Sequence, residues 1–118
     1  MIEGYLRIPY LRGGRTEEGC DCWGFVRLII GREKGVELPS YDGVDETDVT
    51  GIECRYERLS APRNWCLVLM EQRRGHAHVG VFIDGCILHM TQCGASLVPF
   101  SRLRCEVKGY YGCTGRGS

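Results

Sequence analysis

The stretch Gly19-Cys20-Asp21-Cys22-Trp23-Gly24-Phe25-Val26-Arg27-Leu28-Ile29-Ile30 restricts this chain more than any other part of it. Phe25, Val26, Ile29 and Ile30 recur with a helical period and form one apolar stripe, so the segment predicts a buried amphipathic helix. Asp21 stands in the N-cap position, where a carboxylate accepts hydrogen bonds from the open backbone N–H groups of the first turn, and Gly35 supplies a C-terminal stop. The cap puts Cys22 on that first turn. There, unpaired N–H groups and the positive end of the helix dipole favour a thiolate, so a lowered thiol pKa is expected and Cys22 becomes a candidate nucleophile. A cysteine among apolar residues also serves as a small core side chain. The rest of the sequence has to decide between these uses.

A chain of 118 residues fits one domain, 1–118, with enough length to bury a real core. Its 15 lysines and arginines balance 15 aspartates and glutamates, so the electrostatic footprint of a general nucleic-acid binder is missing. Met1 to Arg7 holds no apolar run of signal-peptide length, and no later segment approaches a membrane span. The expectation is a protein synthesised without a signal peptide and with no membrane span. Cysteines at 20, 22, 54, 66, 86, 93, 105 and 113 include no Cys-x-x-Cys pair. Without that spacing, and without an oxidising compartment, neither a zinc knuckle nor a disulfide framework is favoured, and no metal or cofactor is expected. Most of these thiols read as small hydrophobes, and Cys20, two residues before Cys22, as a bystander or a redox partner.

Tyr10-Leu11-Arg12-Gly13-Gly14-Arg15 precedes the helix, and its paired glycines predict a special loop that can bring Tyr10 back toward Cys22. Beyond the helix, Leu38 to Gly43 reads as a turn, followed by the acidic run Asp45 to Asp48. Val49, Ile52, Tyr56 and Leu59 recur at helical spacing, which predicts a second, short helix over 47–60 ended by Pro62. From Trp65 onward the pattern becomes short apolar runs with turn signals: strands near 66–70, 78–83, 86–90, 96–99 and 106–111, then a frayed tail over 112–118. Helices followed by a strand meander define an α+β arrangement. Arginines in the loops 12–18 and 72–75 read as solvated.

Asp84-Gly85 is the preferred dipeptide of a two-residue type I′ hairpin and sets a register that can be counted. Ile83 faces Cys86, Val81 faces Leu88, Gly80 faces His89 and His78 faces Thr91. His78 and His89 then share one sheet face as diagonal neighbours about 7–8 Å apart at the backbone, and Gly80 leaves room between them. If that face packs on the helix of Cys22, the three side chains form nucleophile, base and orienting group. His76 shares the parity of His78, so His76, His78 and His89 also form a candidate zinc triad with an open position. Solvated histidines on an ordinary strand are the third possibility.

These residues resemble the NlpC-type papain-like cysteine peptidases, and within them the phage-tail branch. Pro9-Tyr10-Leu11-Arg12-Gly13-Gly14 is similar to the family's Pro-Tyr-x-x-Gly-Gly lead-in, and Gly19-x-Asp21-Cys22-Trp23-Gly24-Phe25-Val26 to its Asp-Cys-Ser/Trp-Gly-Leu/Phe-Val box. His78-Val79-Gly80-Val81-Phe82-Ile83-Asp84-Gly85-x-Ile87-Leu88-His89 resembles its base strand and the strand that follows. Together the motifs run from Pro9 to His89 in the family's order. The resemblance implies a papain-like NlpC-type fold, with the nucleophile helix on a five-stranded, mainly antiparallel sheet, and a cysteine endopeptidase needing no cofactor. It implies Cys22 as nucleophile, His78 as base and His89 as orienting group. Tyr10, with the Cys22 N–H, would hold the oxyanion, and Trp23 would position substrate.

The implied substrate is a peptidoglycan stem peptide, often cut between D-glutamate and diaminopimelate. The implied partners are other phage tail proteins, for a protein made in the bacterial cytoplasm that acts from a tail particle at the cell wall. Trp23 replaces the serine of cell-wall members, and Asn64-Trp65-Cys66 stands where relatives carry Gly-Asp before the first strand. A tail-assembly module with a vestigial triad and a zinc hydrolase using His76, His78 and His89 are the competing readings.

Overall fold

The computed structural model describes residues 2–40 and 52–115. A one-turn helix α1 (Ile2–Leu6) leads into a small hairpin of β1 (Arg15–Thr16) and β2 (Gly19–Cys20), and then helix α2 (Cys22–Lys34). The turn α3 (Ile52–Arg55) and strand β3 (Tyr56–Leu59) follow. The meander is β4 (Leu67–Arg73), β5 (His76–Ile83), β6 (Cys86–Thr91), β7 (Gly94–Pro99) and β8 (Glu106–Gly115), with a 3-10 turn over Phe100–Arg102. The main sheet has the order β3-β8-β4-β5-β6-β7, with every neighbouring pair antiparallel.

Helix α2 begins and ends where its sequence signals stand. Asp21 has extended backbone and its side chain accepts from Gly24 N, while Gly35 closes the helix in the left-handed region at φ 66°. Phe25, Val26, Ile29 and Ile30 are fully buried and pack with Leu67, Leu69, Val79, Val81, Leu88 and Met90 on one face of the sheet. Burying each of the four contributes about 1.5–3 kcal/mol before entropy is counted, so the stripe is a main tie between helix and sheet. Cys66, Val68, Met70 and Ile87 form a second core, packed with Leu59, Phe82, Leu103 and Tyr110.

Three expectations change. The sheet has six strands rather than five, because β3 forms where the helical period predicted part of a helix over 47–60. In the described part of that span only Ile52–Arg55 is helical. Tyr56 is buried, Glu57 and Arg58 are exposed, and the segment pairs with β8 through Arg58↔Tyr111 and Leu59↔Tyr110, so tertiary pairing overrides a weak local preference. The same pairing orders part of the expected tail: β8 continues to Gly115, opposite Tyr56. Residues 116–118, the turn beyond Ser40 and the acidic run at 45–48 lie outside the described residues. Finally, the strand expected near 78–83 starts earlier, at His76, which stands opposite Arg73 across an irregularity in the register.

The departure at Asn64-Trp65 has its own solution. Asn64 Nδ2 donates to Asp84 Oδ1 at 3.0 Å and Asp84 N donates to Asn64 Oδ1 at 2.8 Å, while Trp65 N donates to Phe82 O at 2.7 Å. The entry to β4 is thereby tied to the β5–β6 turn. That turn has positive φ at both Asp84 (47°) and Gly85 (78°), as a type I′ turn requires.

Candidate active site

The lead-in chain runs beside β2. Cys20 N donates to Pro9 O at 3.1 Å and Leu11 N to Cys20 O at 3.0 Å, so half-buried Tyr10 bridges Cys20, two residues before Cys22. The loop then turns under the first turn of α2. A Cβ on Gly24 would meet Gly14 O at 2.1 Å, and one on Gly14 would meet Gly19 O at 2.2 Å, so both positions need glycine for backbone to approach backbone.

Asp21 is 1% exposed, and its Oδ1 accepts from Gly24 N at 2.8 Å and from Arg15 Nη1 at 2.7 Å. Arg15 also donates to Gly14 O at 3.0 Å and, through Nε, to Ser40 O at 2.7 Å. The expected solvated arginine is therefore a mostly buried one, with its side chain 10% exposed. Its position opposite Cys20 in the β1–β2 hairpin brings it alongside Asp21. Cys22 opens the helix and is fully buried. Cys20 donates its thiol to Thr16 O at 3.0 Å, and burial first, then the Asp21 charge, push its pKa up to about 11. That makes it a poor thiolate.

The hairpin brings the two histidines together as counting predicted, although only part of the counted ladder forms, without Gly80↔His89 or His78↔Thr91. Ile83↔Cys86 and Val81↔Leu88 pair as expected, but the ladder between β5 and β6 ends at Val81↔Leu88. Beyond that point the two imidazoles span the hairpin directly: His78 Nε2 lies 2.8 Å from His89 Nδ1, with ring planes at 74°. Gly80 makes the space, since a Cβ there would meet Ile87 Cγ2 at 2.9 Å and His89 Cβ at 3.0 Å. Both rings are buried. Burial, and then the His89 ring beside it, lower the His78 pKa to about 3, and burial lowers that of His89, so both are neutral across the physiological range. A neutral pair can share only one proton along that contact. When His78 Nε2 donates it, Nδ1 of His78 carries a free lone pair able to take a proton.

One expected packing is corrected. His78 stands opposite Met70, and Gly80 opposite Val68, in the row that belongs to the second core. The apolar flank of α2 takes the other row, with Val79, Val81 and Leu88. Both rows are apolar, so alternation alone could not tell which the helix would cover. Helix α2 nonetheless packs against both β5 and β6, and Cys22 lies at its end rather than on that flank. Trp23 is buried, its Nε1 donating to Pro39 O at 2.8 Å. The indole thus ties α2 to the following segment. His76 is exposed while His78 and His89 are buried, and among the described residues no three His, Cys, Asp or Glu side chains are gathered to hold a metal. Geometry therefore gives the zinc triad no support.

A helix opened by cysteine and packed on an antiparallel sheet, whose hairpin carries a bonded histidine pair, defines the papain-like α+β class. The chain belongs to the NlpC/P60 family, whose family model matches residues 7–104, a family of cysteine peptidases and hydrolases. Among solved structures it is similar to the NlpC/P60 domain of the peptidoglycan hydrolase SagA, with 20% identity, a TM-score of 0.63, and 89% of this chain and 88% of that one covered. No curated protein matches the sequence.

Proposed function

We propose that the protein is a thiol peptidase that hydrolyses amide bonds in peptidoglycan stem peptides, of the D-glutamyl–diaminopimelate endopeptidase type. The observation that carries this reading is the buried 2.8 Å contact between His78 and His89 on two strands that both touch the N-capped helix beginning with Cys22. Family membership supports the chemistry, and the description of the SagA domain as part of a peptidoglycan hydrolase supports the substrate class.

Cys22 Sγ attacks the amide carbonyl carbon while its proton passes to Nδ1 of neutral His78. The imidazolium so formed donates from Nε2 to His89 Nδ1, which must be neutral to accept. Burial of His89 favours that form. His78 then returns the proton to the leaving amine, and water hydrolyses the thioester with His78 again as base. Because burial disfavours a lone imidazolium, His78 is charged only while a thiolate or a developing oxyanion balances it. Tyr10 and the Cys22 N–H stabilise the oxyanion, and Trp23 positions the substrate side of the cleft. Trp23, standing where cell-wall members carry serine, supports a phage or prophage tail setting, with other tail proteins as partners and delivery from a tail particle.

The test is hydrolysis of defined muropeptides by the wild type and by Cys22→Ala, with circular dichroism to confirm an unchanged fold. The wild type should release the stem-peptide fragments, and the variant should lose at least about 10³-fold in rate. Equal rates would overturn the proposal. A wild type that cleaves nothing would favour a tail-assembly module instead.

A further inference from the structure

Arg15 occupies a junction that the proposed reaction does not use. Its guanidinium reaches three acceptors on three segments: Asp21 Oδ1 at the helix cap, Gly14 O in the lead-in loop and Ser40 O beyond α2. The Asp21 carboxylate is almost wholly buried, and its second oxygen, Oδ2, has no hydrogen-bond partner among the described residues. Such a carboxylate is a concentrated negative charge one residue from Cys22. Ion formation at a neighbouring thiol is opposed by a like charge within about 4–6 Å and favoured by an opposite one.

We infer that Arg15 is a positioning residue for the Cys22 thiolate: its guanidinium balances the buried Asp21 carboxylate, so the residue that caps the helix does not hold the adjacent thiol in its protonated form. The inference rests on Cys22 being the nucleophile. At Cys20, the neighbour of Asp21 on the other side, burial raises the pKa most, and both charges then act on it: Asp21 raises it while Arg15 and Arg32 lower it. Cys22 differs in standing on the helix's first turn, where the dipole adds to the cation. Other ionisable groups around this junction include Tyr10, which bridges Cys20, Arg32 of α2, paired with Glu17 of the β1–β2 turn, and His78 and His89 on the sheet strands that α2 packs against. Arg32 and Glu17 offset one another, and the histidines are neutral, so the Arg15–Asp21 pair sets the local balance.

The test is the pH dependence of Cys22 alkylation by iodoacetamide, followed by mass spectrometry of the tryptic peptide that carries Cys22, in a Cys20→Ser background where that peptide has one thiol. Arg15→Gln should raise the alkylation midpoint by about one pH unit or more, Arg15→Lys should restore most of it, and Arg15→Gln with Asp21→Asn should return it close to the starting value. An asparagine in place of Asp21 keeps a competent N-cap, so the double variant separates charge from capping. Should Arg15→Gln alone fail to fold, the double variant is compared with Asp21→Asn, whose midpoint should lie lower by about one unit. A midpoint that stays put across these variants while thermal stability falls would make Arg15 a purely structural tie and overturn the inference. A Cys22 that resists alkylation at every pH in the starting protein would instead overturn the nucleophile reading.

Discussion

The two halves of the candidate site are built on opposite principles. Around Asp21 and Cys22, polar groups are dense: a carboxylate oxygen takes both a helix N–H and a guanidinium, and that guanidinium reaches two further carbonyls. His78 stands opposite Met70, on the sheet row that carries Val68 and the second core, and a single nitrogen-to-nitrogen contact joins the two rings. The first half is held by redundant, charge-assisted bonds. The second is held by exclusion of water and one shared proton, so its charge state responds to pH.

The largest effect is expected from breaking the polar half. Asp21→Ala removes the cap and leaves the Arg15 guanidinium buried without its counter-charge, so urea unfolding should show a loss of about 3–5 kcal/mol. Asp21→Asn, which keeps a cap, should lose less. The apolar half should show itself through pH. His78 has a folded pKa of about 3, below the ordinary 6.5 of the unfolded chain, so the unfolded state binds the extra proton between those values. Stability is then full above pH about 6.5 and falls as the solution is acidified toward pH 3, with a slope approaching about 1.4 kcal/mol per unit from this group. Denaturant unfolding of the wild type and His78→Gln across that range measures it, and the variant should lack that share of the slope. A flat profile in both proteins would contradict the burial of a neutral base.

Much of this contrast was legible in the sequence, because local signals fix it. Asp21 before an apolar helical stripe, Gly35 after it, and Asp84-Gly85 between two short apolar runs each dictate a backbone conformation without help from distant residues. The histidine pair followed from the turn by counting. What escaped is non-local. Tyr56 to Leu59 is a strand because β8 lies beside it, and β8 extends past Gly112 for the same reason. Arg15 in a glycine-rich loop carries no mark of burial until the β1–β2 pairing sets it beside Asp21. The choice of sheet face was hidden because both rows of β5 and β6 hold apolar residues. Trp23 gave no sign of its bond to Pro39, a carbonyl on a separate segment.

In the proposed reaction the two halves act as one site, with His78 as the base for Cys22. Alkylation of Cys22 at pH 6, compared between the Cys20→Ser protein and the same protein carrying His78→Ala, reads that coupling. Cys22 should be labelled faster than the other cysteines while His78 is present, and His78→Ala should slow the labelling at least about tenfold without unfolding the protein. Equal labelling rates in the two proteins would contradict it.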